Sequence, residues 1–106
     1  MLPEYPVVFA ACDAEYYKKH APAFISSCQS IGKDVHVHVH NHDEECIELH
    51  KKLYDAVDGI KYSMSTGQTD ISKLNAEQTR TFYACIRFHV APMILEKCGK
   101  MLITDI

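Results

Sequence analysis

The regular alternation of short apolar runs with helical patterns is the feature that most constrains the fold of this chain. Residues 6–12 form a continuous apolar run, which is typical of a strand buried on both faces of a sheet. Val35–His40 alternates strictly between valine and histidine, which is the pattern of a strand with two different faces. Two further strands are predicted, at residues 57–64 and 100–105.

Three helical patterns lie between these strands, at residues 22–32, 43–54 and 75–99. Pro22 suits the first turn of a helix, because a backbone N–H there has no partner within the helix. Asn75 and Gln78 have the spacing of a capping box, in which each side chain bonds the backbone of the other residue. Pro92 is predicted to kink or restart the third helix. The polar stretch 65–73 is predicted to be a loop.

The resulting order of elements, β-α-β-α-β-α-β, predicts an α/β fold with a mainly parallel four-stranded sheet and right-handed crossovers. We expect a three-layer α/β/α arrangement, as in a Rossmann-like half-domain. A chain of 106 residues is the size of one domain. The net charge of −3 provides no basic footprint for nucleic acid and no polybasic patch for a membrane surface.

The composition of the sequence also indicates the cellular compartment in which we expect the protein. No apolar run approaches the ~20 residues of a membrane span. The first six residues lack the basic segment and apolar stretch of a secretory signal. The five cysteines are scattered, with no C-x-x-C pair, which argues against a disulfide framework and against a zinc knuckle. We therefore expect a cytoplasmic protein whose cysteines are mostly small buried hydrophobic residues.

The histidines of Val35–His40 allow two interpretations. His36, His38 and His40 share one face of the predicted strand, and neighbours on that face are ~6–7 Å apart. Imidazoles at this spacing, continued by His42, could bind zinc or copper. In the second interpretation the strand is amphipathic, with its valines facing one helical layer and its histidines facing the other layer or an edge. The sequence favours the second interpretation, because no cysteine or carboxylate converges on the histidines.

Asp13 and Tyr16 follow the first strand at its carboxyl end, which is where open α/β sheets bind ligands. A carboxylate at this place can accept hydrogen bonds from a base or a ribose, and a tyrosine ring can stack on a heterocycle. The alternative is purely structural: Asp13 caps the next turn and Tyr16 covers the sheet. Position alone does not separate these alternatives.

Arg87 and Asp105 are two further candidates. Arg87 shares an apolar stripe of the third helix with Tyr83 and Val90, and a guanidinium on such a stripe needs a partner. That partner is a structural carboxylate or the phosphate of a ligand, which arginine binds through two parallel hydrogen bonds. Asp105 ends the last strand, either as the start of a turn or as an oxygen ligand for Mg²⁺ or Mn²⁺.

Four segments together resemble a known family, the glycogenin-like and lipopolysaccharide galactosyltransferase-like retaining glycosyltransferases of GT-A fold. The segments are 11–16 (ACDAEY), 24–28 (FISSC), 81–87 (TFYACIR) and 100–105 (KMLITD). They look like the family's D-x-N-Y opening, the small-residue helix that follows it, the Y-x-R helix and the strand that leads into the D-x-D motif. They occur in the family's order across nearly the whole chain.

This resemblance implies a UDP-sugar donor whose diphosphate is bridged by Mn²⁺ or Mg²⁺. It implies nucleotide-binding roles for Ala11, Asp13, Tyr16 and Arg87, with Asp13 at the uracil or ribose and Tyr16 stacked on the base. Arg87 would contact the diphosphate or the metal-binding carboxylate, and Asp105 would be the first acid of D-x-D. The resemblance assigns no catalytic residue and no acceptor.

The sequence reaches only the middle residue of D-x-D at Ile106. We therefore expect the nucleotide-binding portion of a glycosyltransferase, inactive by itself, that self-associates through an exposed sheet edge. Two alternatives remain from the residues alone. One is a non-catalytic binding or signalling module similar to receiver domains, whose phosphorylated aspartate also ends a strand. The other is a metal-binding protein that uses the histidine strand. Binding of UDP, acetyl phosphate or Zn²⁺ distinguishes the three.

Overall fold

A computed structural model describes residues 7–106, apart from the side chain of Cys98. The strands are β1 (Val7–Cys12), β2 (Val35–His40), β3 (Tyr62–Gly67) and β4 (Met101–Ile103). The helices are α1 (Ala14–Ser30), α2 (Glu44–Ala56) and α3 (Ala76–Cys98). The predictions for residues 1–6, which concern a strand start at Pro6 and the lack of a signal segment, lie outside the described residues, and so does the predicted burial of Cys98.

The four strands form one sheet in the order β3-β2-β1-β4, and every pairing in it is parallel. This confirms the predicted α/β class and the three-layer arrangement. From β1 the chain adds β2 and then β3 on one side, and α3 returns it to place β4 on the other side of β1. The order of the strands therefore reverses between β1 and β4. That reversal is the topological switch point, where open α/β sheets bind ligands.

The two faces of the sheet have different cores. On one face, α1 and α2 cover the three valines of β2 and Tyr62 of β3, and α1 contributes Tyr17 to this core. On the other face, α3 packs through Ile86 and Val90 against Phe9 of β1. The strict alternation of β2 produces this division, because successive side chains of a strand point to opposite faces.

The first helix begins earlier than the sequence predicts. α1 starts at Ala14, and Asp13 caps it by accepting a hydrogen bond from the backbone N–H of Tyr16 at 2.8 Å. Pro22, predicted to lie in the first turn, lies inside the helix instead. The buried side chains of α1 recur at helical spacing and belong to the core, namely Tyr17, Ala21, Ile25 and Cys28. Burial of this stripe and a good cap outweigh the cost of an internal proline.

The third strand begins later than predicted. Val57, the predicted start, is the C-cap of α2, and its N–H donates to the carbonyl oxygen of Leu53 at 3.0 Å. β3 instead takes in residues 65–67, which were predicted to belong to a loop. Ser63 and Ser65 pair in register with His36 and His38 of β2. The polar composition of this strand hid it in the sequence, because its serines bond histidines rather than enter an apolar core.

The third helix agrees with its predicted ends. Asn75 and Gln78 form the capping box, and Gly99 ends the helix with a φ of 80°. The prediction of a restart at Pro92 is wrong, since α3 continues through this exposed residue to Cys98. In the part of the chain that the structure describes, no helix has the length and apolar character needed to cross a membrane.

The cysteines agree in part with their predicted burial. Cys12, Cys28 and Cys46 are buried, whereas Cys85 is exposed on α3. All four of these thiols are free. Burial raises the pKa of Cys12 to about 12, so that this thiol stays protonated at neutral pH.

Candidate functional site

A cavity of about 320 Å³ lies at the switch point, beside the carboxyl ends of β1 and β4. All five residues singled out as site candidates line it, namely Ala11, Asp13, Tyr16, Arg87 and Asp105. The remaining lining residues are Cys12, Tyr83, Ala84 and Ile106. We call this space the switch-point cavity. Two strand ends, the start of α1 and the middle of α3 bring its walls together, so the fold collects residues that are far apart in the sequence.

Asp13 acts as a cap in this structure. One of its carboxylate oxygens accepts the hydrogen bond from Tyr16, and its backbone carbonyl accepts from the N–H of Tyr17 at 3.1 Å. The structural alternative for Asp13 is therefore present, and it coexists with the position of this residue in the cavity wall. The cap fixes the carboxylate at the mouth, because a side chain bonded to the first turn of a helix loses its freedom to rotate.

Tyr16 lies beside Asp13 at the mouth of the cavity. The residue as a whole is 46% exposed, and its ring contacts the ring of His20, with the two centroids 4.4 Å apart. The alternative in which Tyr16 merely covers the sheet does not describe this residue, because nearly half of its surface faces solvent. An exposed ring held next to a fixed carboxylate suits a flat heterocycle.

Arg87 and Asp105 form an ion pair across the cavity. The arginine side chain is 25% exposed and the aspartate 84%, so the carboxylate is largely solvated while the guanidinium is mostly covered. The guanidinium also lies over the ring of Phe88, 5.0 Å from its centroid. The structural carboxylate considered for Arg87 is thus Asp105. An ion pair with one solvated partner contributes little stability, so an incoming anion can compete for the arginine.

One nitrogen of Arg87 has no partner. Its Nε is buried, and no hydrogen-bond acceptor among the described residues contacts it. A buried N–H without a partner costs free energy, since it has given up water and gained nothing in return. A ligand oxygen could reach the buried Nε after the guanidinium had turned from Asp105, and that contact would remove the cost and give Arg87 the paired contact that guanidinium groups make with phosphates.

Tyr83 and Asn41 support the cavity from behind and were not among the predicted site residues. The side-chain amide of Asn41 donates to the hydroxyl of Tyr83 at 3.0 Å, and its amide oxygen accepts from the N–H of Thr69 at 2.8 Å. Asn41 follows β2 directly and has a φ of 54°, a left-handed conformation that asparagine tolerates better than most residues. A sequence signal for Tyr83 exists, because it lies one helical turn before Arg87 on the same stripe.

The residues of the switch-point cavity do not fit a divalent cation by themselves. The carboxylates that line it are Asp13, which caps α1, and Asp105, which pairs with Arg87. Within residues 7–106 no group of three or more histidine, cysteine, aspartate or glutamate side chains is arranged to hold a metal ion. Mg²⁺ takes six oxygen ligands and is usually bound through one or two carboxylates, several waters and the phosphates of a substrate. The side chains of the cavity alone therefore offer an incomplete set of ligands, which the phosphates of a ligand would have to complete.

The histidines of β2 form a continuous hydrogen-bonded chain with residues of β3 and the loop after it. His36 bonds the hydroxyls of Ser63 and Ser65 at 2.7 and 2.9 Å. His38 bonds Ser65 at 2.8 Å and the Nδ1 of His40 at 3.0 Å, and the Nε2 of His40 bonds Thr69 at 2.8 Å. We call these six residues the histidine chain.

The histidine chain corresponds to the amphipathic interpretation of β2, with the valines facing α1 and α2 and the histidines facing the layer of α3. Each imidazole uses both ring nitrogens within the chain, and all three histidines are buried. A metal ion could bind one of these nitrogens only after a hydrogen bond had broken. The histidine chain is therefore a polar layer in which every ring nitrogen has a hydrogen-bond partner, rather than a set of free metal ligands.

Comparisons with family models, curated proteins and solved structures found no match to this chain.

Proposed function

We propose that this chain is the nucleotide-sugar-binding portion of a glycosyltransferase that uses a UDP-sugar as donor. The observation that carries the proposal is the meeting of Ala11, Asp13, Tyr16, Arg87 and Asp105 in one cavity at the switch point of the sheet. The motifs that resemble the GT-A glycosyltransferases contribute these five residues, and they are spread between positions 11 and 105 of the sequence. The fold brings all five of them to the edge of the sheet where open α/β sheets bind ligands.

Each part of the donor has a suitable partner in the cavity. The exposed ring of Tyr16 stacks on the base, and the carboxylate of Asp13 accepts a hydrogen bond from the ribose or the uracil. Arg87 binds the diphosphate, for which its unpartnered Nε and its planar fork are suited. The guanidinium neutralises the charge that develops on the leaving diphosphate, which is the usual form of electrostatic catalysis in such transfers.

The proposed reaction is a simple exchange of bonds at the anomeric carbon of the donor sugar. The bond from that carbon to the β-phosphate oxygen breaks, and UDP leaves with the electron pair. A bond to an acceptor hydroxyl oxygen forms, and the proton of that hydroxyl passes to water. The residues of this chain bind and orient the donor, and none of them is assigned to proton transfer.

Titration calorimetry with UDP tests this proposal. We expect weak binding by the wild-type chain, with a dissociation constant on the order of 1 mM. Arg87→Gln should weaken it at least tenfold, because hydrogen bonds to charged groups contribute roughly 1.5–3 kcal/mol. Arg80→Gln, an exposed position on the same helix, is the matched control and should leave the affinity unchanged. Arg87→Lys keeps the charge but loses the fork, and should give an intermediate affinity.

The calorimetry is repeated with other ions and other ligands to test the alternatives. Among the described residues no group of three or more ligands is arranged to hold a metal ion, so UDP should bind in the presence of a chelator as well as with Mn²⁺. Acetyl phosphate and Zn²⁺ represent the receiver-like and metal-binding alternatives, and neither should bind more tightly than UDP. No heat at 10 mM UDP, or equal affinities for wild type and Arg87→Gln when circular dichroism shows both folded, would contradict the proposal.

The proposed self-association concerns the outer edge of β4. This strand pairs with β1 on one side, and among residues 7–106 no strand pairs with its other side. Leu102 is 57% exposed and Ile103 is 37% exposed. An open strand edge with apolar side chains is a template for pairing with another chain. Sedimentation velocity should show a mass that rises between 10 µM and 500 µM, and Leu102→Lys should abolish the rise. A wild-type chain that stays monomeric at the higher concentration would contradict this expectation.

A further inference from the structure

A second and larger cavity, of about 560 Å³, lies between α3 and the carboxyl ends of β2 and β3. Its lining comes from β2, from residues 66–69, and from residues 81–93 of α3. We call it the histidine cavity, because His38 and His40 lie in its wall. Its volume is within the range of roughly 300–1,000 Å³ that is typical of small-molecule sites.

Gly67 contributes to the shape of this cavity. A Cβ atom at that position would lie 2.8 Å from both Cε1 and Nδ1 of His40, so the imidazole occupies the space that any other residue would need. The ring of Phe82 meets His40 edge-on, with the centroids 5.5 Å apart. The absence of a side chain at position 67 thus lets His40 lie flat against β3 and leaves the space above it open.

The titratable side chains in the lining of the histidine cavity are those of His38, His40, Cys85 and His89. Among the described residues that line it there is no aspartate, glutamate, lysine or arginine. Burial lowers the pKa of His38 to about 4 and also lowers that of His40, so both imidazoles are neutral at pH 7. A charged ligand would give up its hydration here without meeting a carboxylate, an ammonium or a guanidinium group, so the cavity favours an uncharged ligand.

Two walls of the cavity have different chemistry. The wall from α3 is mainly apolar, through Phe82, Ile86, Val90 and Met93, and it also includes the polar side chains of Thr81, Cys85 and His89. The wall from the sheet and the following loop is polar and includes His38, His40, Gln68 and Thr69. Thr69 ends the histidine chain, and a hydroxyl bonded once to His40 keeps capacity for a further hydrogen bond. A ligand that fits both walls has one apolar face and one hydroxylated edge.

The histidine cavity adjoins the switch-point cavity through α3. Phe82 lines the histidine cavity and the next residue, Tyr83, lines the switch-point cavity. Asn41 joins the two sites as well, since it bonds Tyr83 on one side and the backbone of Thr69 on the other. A molecule in the histidine cavity therefore lies next to the nucleotide site, at the same carboxyl edge of the sheet.

We propose that the histidine cavity binds a neutral hydroxylated ring, of which an uncharged saccharide is the representative. A sugar ring has apolar C–H faces and hydroxyl groups at its edge, which matches the two walls. Its role as the acceptor for the transferred sugar rests on the proposed function, whereas the binding itself does not. The two parts can fail separately, because UDP probes one cavity and a free saccharide probes the other.

The test is an amide ¹H–¹⁵N titration of the full chain with D-glucose, D-galactose and D-mannose, each to 100 mM. At least one neutral sugar should shift the amides of residues 67–69 and 81–89 in a saturable manner. D-glucuronate, in which a carboxylate replaces the C6 hydroxymethyl group of glucose, should bind at least tenfold more weakly. Cys85→Trp places a large ring in the cavity from an exposed position and should weaken sugar binding at least tenfold. Cys85→Ser preserves the volume and should leave binding unchanged.

Several outcomes overturn this proposal. One is the absence of saturable shifts with every neutral sugar, and another is equal binding of glucuronate. A third is unchanged binding in Cys85→Trp and also in Met93→Trp, a second exposed position in the lining that serves if the first variant is misfolded. Shifts of the same amides with protein concentration alone would show that a second copy of the chain occupies the cavity. If Cys85→Trp loses sugar binding but still binds UDP, the substitution has blocked the histidine cavity and left the switch-point cavity intact.

Discussion

Acidification from pH 7 to pH 4 is expected to lower the free energy of unfolding by several kcal/mol, with the histidine chain as the main cause. Burial lowers the pKa of His36 and of His38 to about 4, and it lowers the pKa of His40 and of His50 as well. The unfolded chain has ordinary histidines, with a pKa near 6.5. Between these values the unfolded state binds more protons than the folded state, so stability falls as the pH falls.

The size of the effect follows from the two pKa values of about 4. Each of His36 and His38 contributes about 3 kcal/mol of stability at pH 7 that is lost by pH 4. This is a large share of the roughly 5–15 kcal/mol that holds a typical domain together. The positive charges that oppose protonation come from several elements: Lys97 of α3 acts on His36, His89 of α3 acts on His40, and the histidines of the chain act on one another.

The hydrogen bonds of the histidine chain make the stability of the fold more sensitive to acid. The Nε2 of His38 faces the Nδ1 of His40 at 3.0 Å, and a single proton lies between them. If both rings were protonated, two N–H groups would point at each other. One added proton can therefore be accommodated by a turn of the Ser65 or Thr69 hydroxyl, whereas protonation of both rings breaks the contact between them.

Urea unfolding at intervals between pH 4.5 and pH 7.5 measures the effect. The lower limit keeps the measurement above the range in which Asp43 titrates, since its ion pair with Lys18 lowers its pKa to about 2. His38→Gln removes one titrating group and should reduce the slope of stability against pH, whatever its cost at pH 7.5. Leu95→Gln, at an exposed position of α3, removes no titrating group and should leave the slope unchanged. A wild-type stability that stays flat across this range would contradict the account of the histidine chain.

Gly67→Ala is expected to destabilise the fold by roughly 1–3 kcal/mol, the usual cost of an added carbon in a packed place. The new Cβ would lie 2.8 Å from two ring atoms of His40 and 3.4 Å from Cε1 of His38. His40 cannot move aside freely, because its two nitrogens bond His38 and Thr69. The backbone at Gly67 does not require a glycine, since its φ is outside the left-handed region. The cost therefore comes from the contact with the imidazole.

A double-mutant cycle separates this contact from other effects of the substitution. In a His40→Ala background the ring is gone, and Gly67→Ala should then cost less than half of its value in the wild type. Thr66→Ala, at the neighbouring exposed position of β3, is the control and should change stability by less than about 0.5 kcal/mol. Equal costs of Gly67→Ala in the two backgrounds would show that the imidazole is not what excludes a side chain at this position.

The sequence was sufficient for the fold class because its strongest patterns come from burial. The apolar run of β1 and the valine–histidine alternation of β2 both follow from where the side chains point in a parallel sheet. The sequence was insufficient for the elements in which tertiary contacts override the local preference of residues for helix, strand or loop. The burial of α1 against the sheet carries a helix through Pro22, and hydrogen bonds between serines and histidines make a strand of Tyr62–Gly67.

Part of the candidate site, like part of the fold, could be predicted from the sequence. Asp13 and Asp105 follow strand ends, and a general rule places strand ends at the ligand-binding edge of an α/β sheet. Asn41 and the histidine cavity were out of reach, because both depend on which loops and helices meet across the sheet. The partner of Arg87 was also undetermined, since Asp105 is eighteen positions away and only the packing of α3 over β4 brings the two together.

Mapping of the UDP site by amide chemical shifts tests the central claim most directly. A titration of the ¹⁵N-labelled wild-type chain to 10 mM UDP should shift the amides of residues 11–16, 83–87 and 105, which surround the switch-point cavity. The shifts should saturate with one dissociation constant, and uridine without phosphates should shift residues 11–16 but not residue 87. Shifts confined to the histidine cavity, or no shifts at 10 mM UDP, would contradict the proposal that this chain binds a nucleotide-sugar at the switch point.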